Sequence, residues 1–227
     1  MRLLAMGDIH GCYNALSTLE KQVPIAPEDM VVTVGDYIDR GPSSAQVLDW
    51  LIQRGRAGRL IPLLGNHELM MLEARNHGER FDNWIFNGGD ATLQSYVPAT
   101  ERGTLASIPA AHWQFLENDC RPFYETETHF FVHANVYPND PLEQQPDHML
   151  YWDHLDEWSV PHHSGKTMIC GHTPQRNGIP LNLGHALCID THAYAGGWLT
   201  CLDVAAGRYW QANEQGETRA GLLSEAV

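Results

Sequence analysis

The sequence contains little positive charge. Its 227 residues include 14 lysines and arginines against 28 aspartates and glutamates, which gives a formal net charge of −14. General affinity for nucleic acid depends on lysine and arginine side chains that neutralise phosphates, so this balance argues against a nucleic-acid partner. An acidic surface also slows the approach of acidic substrates without preventing their binding.

Cysteines and long apolar runs are also scarce. The five cysteines are scattered, with no close pair of the kind that binds zinc or exchanges disulfides. No apolar stretch approaches the length of a membrane span, and the apolar start at residues 1–6 is too short for the core of a signal peptide. We therefore expect buried free thiols, no membrane partner and a cytoplasmic location.

What the sequence does contain is three short polar motifs, each directly after an apolar run and about thirty residues from the next. They are 7–11 (GDIHG), 35–41 (GDYIDRG) and 65–68 (GNHE). Taken singly, such motifs are ordinary turns, surface ion pairs or helix caps. Together, in this order and flanked by glycines, they indicate one site.

The residue types in these motifs are those of a two-metal phosphoesterase. Hard divalent ions take carboxylate oxygens and imidazole nitrogens, and a two-metal centre requires one carboxylate that bridges both ions. Two ions, two carboxylate ligands, a bound hydroxide and Arg40 sum to about +2, which suits a phosphate dianion. The local charge therefore permits a phosphorylated substrate in spite of the acidic chain.

Hydrophobic periodicity places the motifs at the edge of a sheet. Apolar runs at 2–6, 30–34 and 60–64 predict strands, and apolar stripes predict helices over 13–22, from about Ser43, and over 68–79. Alternating strands and helices imply a largely parallel sheet, whose functional groups gather at the carboxyl ends of its strands. The polar motifs follow those ends.

The second half is predicted to be mainly β. Further strands of a second sheet, stacked on the first, are predicted at 123–127, 130–133, 167–170, 186–189, 198–204 and 208–211. We expect a single α/β domain over 1–227. Within it, 81–119 is expected to form a helical cap region and 214–227 a mobile polar tail.

Three further motifs support a family resemblance: His133-Ala134 after a strand, 171–174 (GHTP) and 189–191 (IDT). With them the chain resembles the metal-dependent phosphoprotein phosphatases of the calcineurin-like metallophosphoesterase family, and in particular their small bacterial and phage serine/threonine members. The resemblance implies an αββα fold, that is, a β-sandwich of two mixed sheets flanked by helices, with a binuclear metal centre.

The resemblance also implies the metal ligands, six side chains with Asp36 as the bridge between two divalent ions. They are Asp8, His10, Asp36, Asn66, His133 and His172. Asp8 and His10 would hold one ion together with Asp36. Asn66, His133 and His172 would hold the other ion, again with Asp36. Manganese is the first expectation, and iron or zinc also suits imidazole and carboxylate ligands.

Catalytic roles carry over in the same way. His67 would protonate the leaving oxygen as the general acid, with Asp39 orienting its ring. Arg40 would grip two phosphate oxygens, and Asn66 would add a hydrogen bond. A hydroxide that bridges the ions would attack phosphorus directly, without a phosphoenzyme.

Two positions depart from the family pattern. Bacterial members carry a second phosphate-binding arginine before the 171–174 motif, whereas the corresponding segment here, 151–154 (YWDH), has none. His154 is the first candidate to replace it by position, and Lys166 and Arg176 are the others. His192 stands where relatives have glycine, and it either approaches the site or occupies an ordinary turn.

We therefore expect a binuclear-metal phosphomonoesterase that acts on phosphoserine and phosphothreonine in proteins or peptides, with phosphotyrosine also open. A diadenosine tetraphosphate-type hydrolase shares the motifs, but the second half offers few basic residues for a long polyphosphate. A small-molecule phosphatase is a further alternative. A non-catalytic phosphoprotein-binding module would have lost a metal ligand or His67, and none is lost. The oligomeric state is left open.

Overall fold

The computed structural model describes residues 1–223, and strands and helices alternate at its start. These elements are β1 (Leu3–Met6), α1 (Tyr13–Gln22), β2 (Met30–Thr33), α2 (Ser44–Arg56), β3 (Leu60–Pro62) and α3 (Asn66–Asn76). Helix α3 begins two residues earlier than the sequence predicts. As a result, the 65–68 motif lies in the first turn of a helix and not in a loop.

The region 81–119 is helical, as predicted, but its helices are short and irregular. They are α4 (Phe81–Trp84), a π-helical segment (Ile85–Gly89), α5 (Asp90–Gln94), α6 (Ala110–Gln114) and a second π-helical segment (Phe115–Asp119). Between α4 and α5 the backbone kinks at Gly88, whose φ of 104° is a conformation that glycine adopts without strain.

The second half supplies the remaining strands and one helix. They are β4 (Phe123–Glu125), β5 (His129–Val132), α7 (Asp147–Trp152), β6 (Thr167–Cys170), β7 (Leu181–Asn182), β8 (Ala186–Cys188), β9 (Asp190–Thr191), β10 (Trp198–Asp203), β11 (Arg208–Ala212) and β12 (Thr218–Leu222). The predicted second-half strands are all present. The two-residue strands β7 and β9 are too short to give a periodic signal.

The expectation of a mobile tail over 214–227 is wrong for its first part. Thr218–Leu222 pairs antiparallel with β11, in register Trp210↔Ala220. A turn in which the amide of Gly216 donates to the carbonyl of Asn213 joins the two strands. Because β12 is an edge strand with alternate residues exposed, its polar sequence does not identify it as buried structure. Residues 224–227 of the predicted tail lie outside the described residues.

Two mixed sheets form the centre of the fold, which confirms the predicted class. The first has the order β12-β11-β10-β1-β2-β3, with β9 beside β10, and the second has the order β4-β5-β6-β8-β7. The prediction that β10 and β11 belong to the second sheet is therefore wrong, because β10 pairs antiparallel with β1. In the first sheet β1, β2 and β3 are parallel, and in the second β5, β6 and β8 are parallel. The polar motifs follow the carboxyl ends of these parallel strands.

Alternation along the strands sorts side chains into layers. Ala5 and Val32 point between the sheets, where Phe131 and Ile169 meet them. Their neighbours in sequence point outward: Leu4 and Val31 pack with the helices of the first half, and Phe130 and Met168 pack under α7. This gives the helix–sheet–sheet–helix arrangement.

Among residues 1–223, no helix has both the length and the apolar character needed to cross a bilayer.

The inter-sheet layer yields a stability prediction. Phe131 is fully buried, with 0% exposure, so Phe131→Ala should lower the free energy of unfolding by about 3–5 kcal/mol through lost burial and a cavity. Phe86, which is 91% exposed, gives the control Phe86→Ala, with an expected change within about 0.5 kcal/mol. Urea denaturation followed by tryptophan fluorescence measures both. Equal midpoints for the two variants would contradict the assignment of this layer as the core.

Candidate metal centre and active site

The predicted ligands are carried on loops that follow the parallel strands of both sheets. Asp8 and Asp36 follow β1 and β2, and Asn66 begins α3 after β3. His133 directly follows β5, and His172 follows β6. Because the carboxyl ends of these strands meet along one edge of the sandwich, the five loops converge there.

The backbone at this edge is strained. Within residues 1–223 six non-glycine residues have positive φ: His10 (46°), Asp36 (51°), Asp39 (70°), Arg40 (68°), His172 (61°) and His192 (64°). Left-handed backbone at a non-glycine residue costs about 1–3 kcal/mol, and it persists where the surrounding structure fixes it, often at functional sites. All six lie in or beside the motifs, so the strain marks the site independently of side-chain identity.

Two groups of side chains are close enough to hold metal ions. One is His10, Asp36 and His67, and the other is Asp36, His133 and His172; within each, the ligand atoms lie within 4.8 Å of one another. Asp36 belongs to both groups, as a bridging carboxylate must. Four of the six predicted ligands fall in these groups, together with His67, the predicted general acid. Asn66 Oδ1 lies 3.0 Å from His133 Nε2, and Asp8 belongs to neither group. The role of all six as ligands stays a prediction.

Hydrogen bonds to backbone carbonyls fix the tautomers of three histidines. The Nδ1–H of His10 donates to the carbonyl of Ile38 at 2.8 Å, and that of His133 donates to the carbonyl of Val34 at 2.8 Å. The Nε2 of His172 lies 3.1 Å from the carbonyl of Trp152, so it carries that proton. In each ring the other nitrogen is left as an acceptor, the usual outer-shell arrangement of metal-bound histidine.

Burial keeps these three rings neutral. Desolvation lowers the pKa of His10 and of His133 below the usual range. It also lowers the pKa of His172, to about 3, with help from the neighbouring His133. A neutral imidazole is the form that binds a metal ion.

Asp8 provides the test of whether a cation fits here. Its Oδ2 accepts from the backbone N–H of His172 at 3.0 Å, but its buried Oδ1 has no hydrogen-bond partner among the described residues. Desolvation, with the nearby charges of Asp190 and Asp36, raises the pKa of Asp8 well above its usual range. A buried carboxylate oxygen without a donor is costly unless a cation meets it. The donor set therefore fits divalent metal ions.

His67 and Asp39 form a buried pair beside these groups. The Nδ1 of His67 lies 2.7 Å from Asp39 Oδ2, which leaves its Nε2 facing the cluster, 4.0 Å from Asp36. Although burial lowers the pKa of His67, the charge of Asp36 and the bond to Asp39 raise it overall above the usual value. The pair has the geometry of an oriented general acid.

Side chains from the 81–119 region hold Asp39 in place. The indole N–H of Trp84 donates to Asp39 Oδ2 at 3.0 Å, and the hydroxyl of Thr92 donates to Oδ1 at 2.7 Å. The hydroxyls of Ser44 and Thr92 also accept from the Asp39 backbone N–H. Trp84 and Thr92 are not identifiable from the sequence, because they lie 45 and 53 residues from Asp39 without a motif of their own.

Glu68 ties the second and third motifs together. Its Oε2 accepts from the backbone N–H groups of Asp36 at 2.9 Å and Gly65 at 3.0 Å, and its Oε1 accepts from Tyr37 at 2.8 Å. Gly65 is required because an added Cβ would lie 2.3 Å from Asp36 Oδ1. These contacts agree with a structural role for Glu68 at the start of α3.

Arg40 lies at the open side of the cluster. Its Nη1 is 3.0 Å from His10 Nε2, and its backbone N–H donates to the carbonyl of Gly88 at 3.1 Å. Its guanidinium stacks 4.5 Å above the ring of Tyr194, which also packs edge-on against His10 at 5.0 Å. Tyr194 is a third residue at the site that the sequence did not identify, since its contacts with Arg40 and His10 arise only from tertiary packing.

Two of the three candidates to replace the second phosphate-binding arginine differ in how near they lie to the ligand groups. His154 stacks on His172 with ring centroids 4.8 Å apart, so it lies beside the second ligand group. Lys166 pairs with Glu125 at 2.6 Å, and it precedes β6, at the opposite end of that strand from His172. The structure therefore places His154 near the site and Lys166 away from it.

Arg176 is the third candidate, and its segment lies beside that of His192, the second position that departs from the family pattern. The backbone N–H of Gln175 donates to the carbonyl of Asp190 at 2.9 Å, which brings the two segments together. The Oδ1 of Asp190 accepts from the backbone N–H of His192 at 2.9 Å. The ring of His192 contacts Tyr194 at 4.8 Å, so His192 approaches the site through Tyr194 and is not an isolated turn residue.

Comparison with known proteins agrees with this geometry. Residues 1–179 match the family model described as calcineurin-like phosphoesterase. The chain is 33% identical to serine/threonine-protein phosphatase 1 of Salmonella typhimurium, over 86% of this chain and 88% of that protein. It is 27% identical to the asymmetrical bis(5'-nucleosyl)-tetraphosphatase PrpE of Anoxybacillus flavithermus, over 87% of this chain and 88% of that protein.

A solved structure shares the fold. The cold-active protein-tyrosine phosphatase of a psychrophilic Shewanella species superposes with a TM-score of 0.64 at 18% identity, over 96% of this chain and 80% of that one. At that identity the likeness concerns the fold alone. The family model, the relative that is 33% identical and the site geometry agree, and the chain belongs to the calcineurin-like phosphoesterase family.

Proposed function

We propose that this protein is a phosphomonoesterase that uses two divalent metal ions to hydrolyse phosphoserine and phosphothreonine esters of proteins or peptides. One observation carries the proposal: Asp36 is shared by two ligand groups, and the His67–Asp39 pair faces the same point. The similarity to a serine/threonine-protein phosphatase over most of both chains supports the substrate class.

The six predicted ligands would hold the ions, one with Asp8 and His10, the other with Asn66, His133 and His172, and Asp36 between them. When bound, the ions supply an activated water nucleophile and neutralise charge on the phosphate. Manganese is the metal we expect first, and the same ligands accept iron or zinc.

Side chains of the protein bind the phosphate and supply the proton for the leaving group. Arg40 presents a planar fork of donors at the open side of the site, where it can grip two phosphate oxygens. The carboxylates of Asp36 and Asp39 raise the pKa of His67 and so favour the imidazolium, which donates Nδ1–H to Asp39 and holds its second proton at Nε2. It gives that proton to the leaving alkoxide of the serine or threonine. Trp84 and Thr92 keep Asp39 fixed, so the proton stays aimed at the same place.

A second candidate function is hydrolysis of a dinucleoside tetraphosphate. The similarity to a tetraphosphatase over most of both chains favours it. A small-molecule phosphatase uses the same chemistry with a smaller leaving group. A panel of phosphopeptides, diadenosine tetraphosphate and aryl phosphates separates the three by kcat/KM.

Metal dependence is the first test. Protein stripped by chelator should lose turnover of p-nitrophenyl phosphate and regain it with manganese, and elemental analysis should give two ions per chain. Asp36→Asn should impair binding of both ions, because both share that carboxylate. Asp147→Asn, at an exposed carboxylate of α7, is the matched control. Full turnover in stripped protein contradicts the mechanism.

The second test concerns the proton donor. His67→Asn should lower turnover by about two to four orders of magnitude with metal still bound, the usual worth of a general acid. The loss should be larger for an alkyl phosphate than for p-nitrophenyl phosphate, whose leaving group needs little protonation. The exposed His77→Asn serves as control. An equal loss for both substrates would show that His67 is not the acid.

The third test concerns His154. His154→Arg should lower KM for aryl phosphate by about tenfold, because arginine stays charged and binds phosphate with two parallel hydrogen bonds. His154→Ala should raise KM, and Lys166→Ala should leave it unchanged, since Lys166 is paired with Glu125 at the far end of β6. If all three variants share the wild-type KM, His154 does not contact the phosphate.

A further inference from the structure

Arg40 is an exposed residue whose backbone and stem are held more firmly than its guanidinium. Its backbone has φ of 68°, and its backbone N–H donates to the carbonyl of Gly88 at 3.1 Å. A Cβ at Gly88 would lie 2.9 Å from Arg40 Cγ, so Gly88 also packs against the stem. A long side chain loses rotamer freedom when it grips a phosphate, and that loss weakens binding. A contact that orders the guanidinium beforehand therefore strengthens binding.

Two contacts reach the guanidinium of Arg40. Its Nη1 lies 3.0 Å from His10 Nε2, and its central carbon lies 4.5 Å from the centroid of the Tyr194 ring. The Nδ1–H of His10 donates to the carbonyl of Ile38, so Nε2 is the nitrogen that His10 can offer to a metal ion. A nitrogen that binds a metal ion has no lone pair left for Arg40. The stack on Tyr194 is therefore the contact that is compatible with a metal-bound His10.

The ring of Tyr194 is itself held in one orientation by two neighbours. The ring of His10 packs edge-on against it at 5.0 Å, with an angle of 81° between the planes. The ring of His192 packs edge-on against it at 4.8 Å, with an angle of 89°. Such edge-on contacts fix the plane of an aromatic ring. The direction of the face that meets Arg40 is therefore set before any substrate binds.

His192 is kept in a conformation that its residue type does not favour. Its φ is 64°, where glycine would be free of strain. Its backbone N–H donates to Asp190 Oδ1 at 2.9 Å, and its carbonyl accepts from the backbone N–H of Gly197 at 3.1 Å. Gly197 has no room for a side chain, since a Cβ there would lie 2.4 Å from the carbonyl oxygen of Thr191. Strain kept at a position that glycine would relieve indicates that the imidazole itself has a use.

We propose that Tyr194 is a positioning residue for Arg40, that its ring holds the guanidinium at the open side of the site by cation–π stacking, and that His192 fixes the plane of that ring. This inference rests on the proposed phosphoester hydrolysis and deepens it. Tyr194 acts through Arg40, by reducing the number of conformations that the guanidinium loses when it binds phosphate. The effect of Tyr194 on phosphate binding must therefore disappear when Arg40 is removed.

Calorimetric titration of the manganese-loaded full chain with methylphosphonate, which resists hydrolysis, tests the proposal without turnover. Tyr194→Leu keeps apolar bulk but removes the aromatic face, so the affinity for methylphosphonate should fall by about fivefold, the size of one cation–π contact. Tyr194→Phe keeps the face and should stay within about twofold of wild type. Tyr137→Leu, at a tyrosine that is 42% exposed, is the matched control and should leave the affinity unchanged.

A double-mutant cycle with Arg40→Ala separates positioning from other roles of Tyr194. In the Arg40→Ala background, Tyr194→Leu should cause no further loss of affinity, because residues that act through one another are not additive. Elemental analysis should give wild-type manganese content in Tyr194→Leu. A further loss of about fivefold in the Arg40→Ala background, or a loss of manganese, would show that Tyr194 acts on the ligand directly or through His10. Either result overturns the proposal, as does an unchanged affinity in Tyr194→Leu.

His192→Gly tests the role of the imidazole. Glycine relieves the backbone strain, so the variant should unfold no more easily than wild type. Its affinity for methylphosphonate should nevertheless fall by about threefold, the size of one edge-on aromatic contact. An affinity equal to that of wild type overturns the role given to His192. Failure of the proposed function looks different, because metal-loaded wild type would then hydrolyse neither phosphopeptides nor aryl phosphates.

Discussion

The position of the Asp36 carboxylate is the constraint on which the site depends. Asp36 has a left-handed backbone, with φ of 51°, and its backbone N–H donates to Glu68. Its Oδ1 accepts from the backbone N–H of His67, and no room exists at Gly65 for a Cβ. The loop after β2 is therefore clamped to the first turn of α3. Only in that arrangement can one carboxylate face both His10 and His133.

The same edge of the sandwich concentrates negative charge that the protein does not neutralise by itself. Asp8, Asp36, Asp39, Glu68 and Asp190 are all buried there, whereas Arg40 is the arginine that reaches the cluster. Asp39 has His67 as a partner, and Glu68 is met by backbone N–H groups. Asp8 keeps an unpartnered oxygen. Since a buried charge without a partner is strongly destabilising, this excess is the physical reason to expect cations at the site.

Sequence reasoning succeeded where the signal is local. The runs ending at Met6 and Thr33 predict strands because apolar residues are continuous there, and each is followed by polar residues between glycines. It failed for β12, whose alternate residues face solvent and whose pairing with β11 depends on a turn at Gly216. It also missed Trp84, Thr92 and Tyr194. Their contacts with Asp39 and Arg40 arise from tertiary packing across long sequence separations, which no periodicity records.

The two departures from the family pattern lie on opposite sides of the ligand groups. His154 stacks on His172, while His192 lies beyond Tyr194, on the side of His10. An arginine grips phosphate as a permanently charged fork, whereas an imidazole offers a single donor from a ring. An imidazole at position 154 would therefore hold a phosphate less firmly than the arginine that the family pattern has there. On the His10 side Arg40 keeps its permanent charge, and its guanidinium is supported by the ring of Tyr194 at 4.5 Å. The stronger contact with a phosphate is therefore expected on the His10 side of the site.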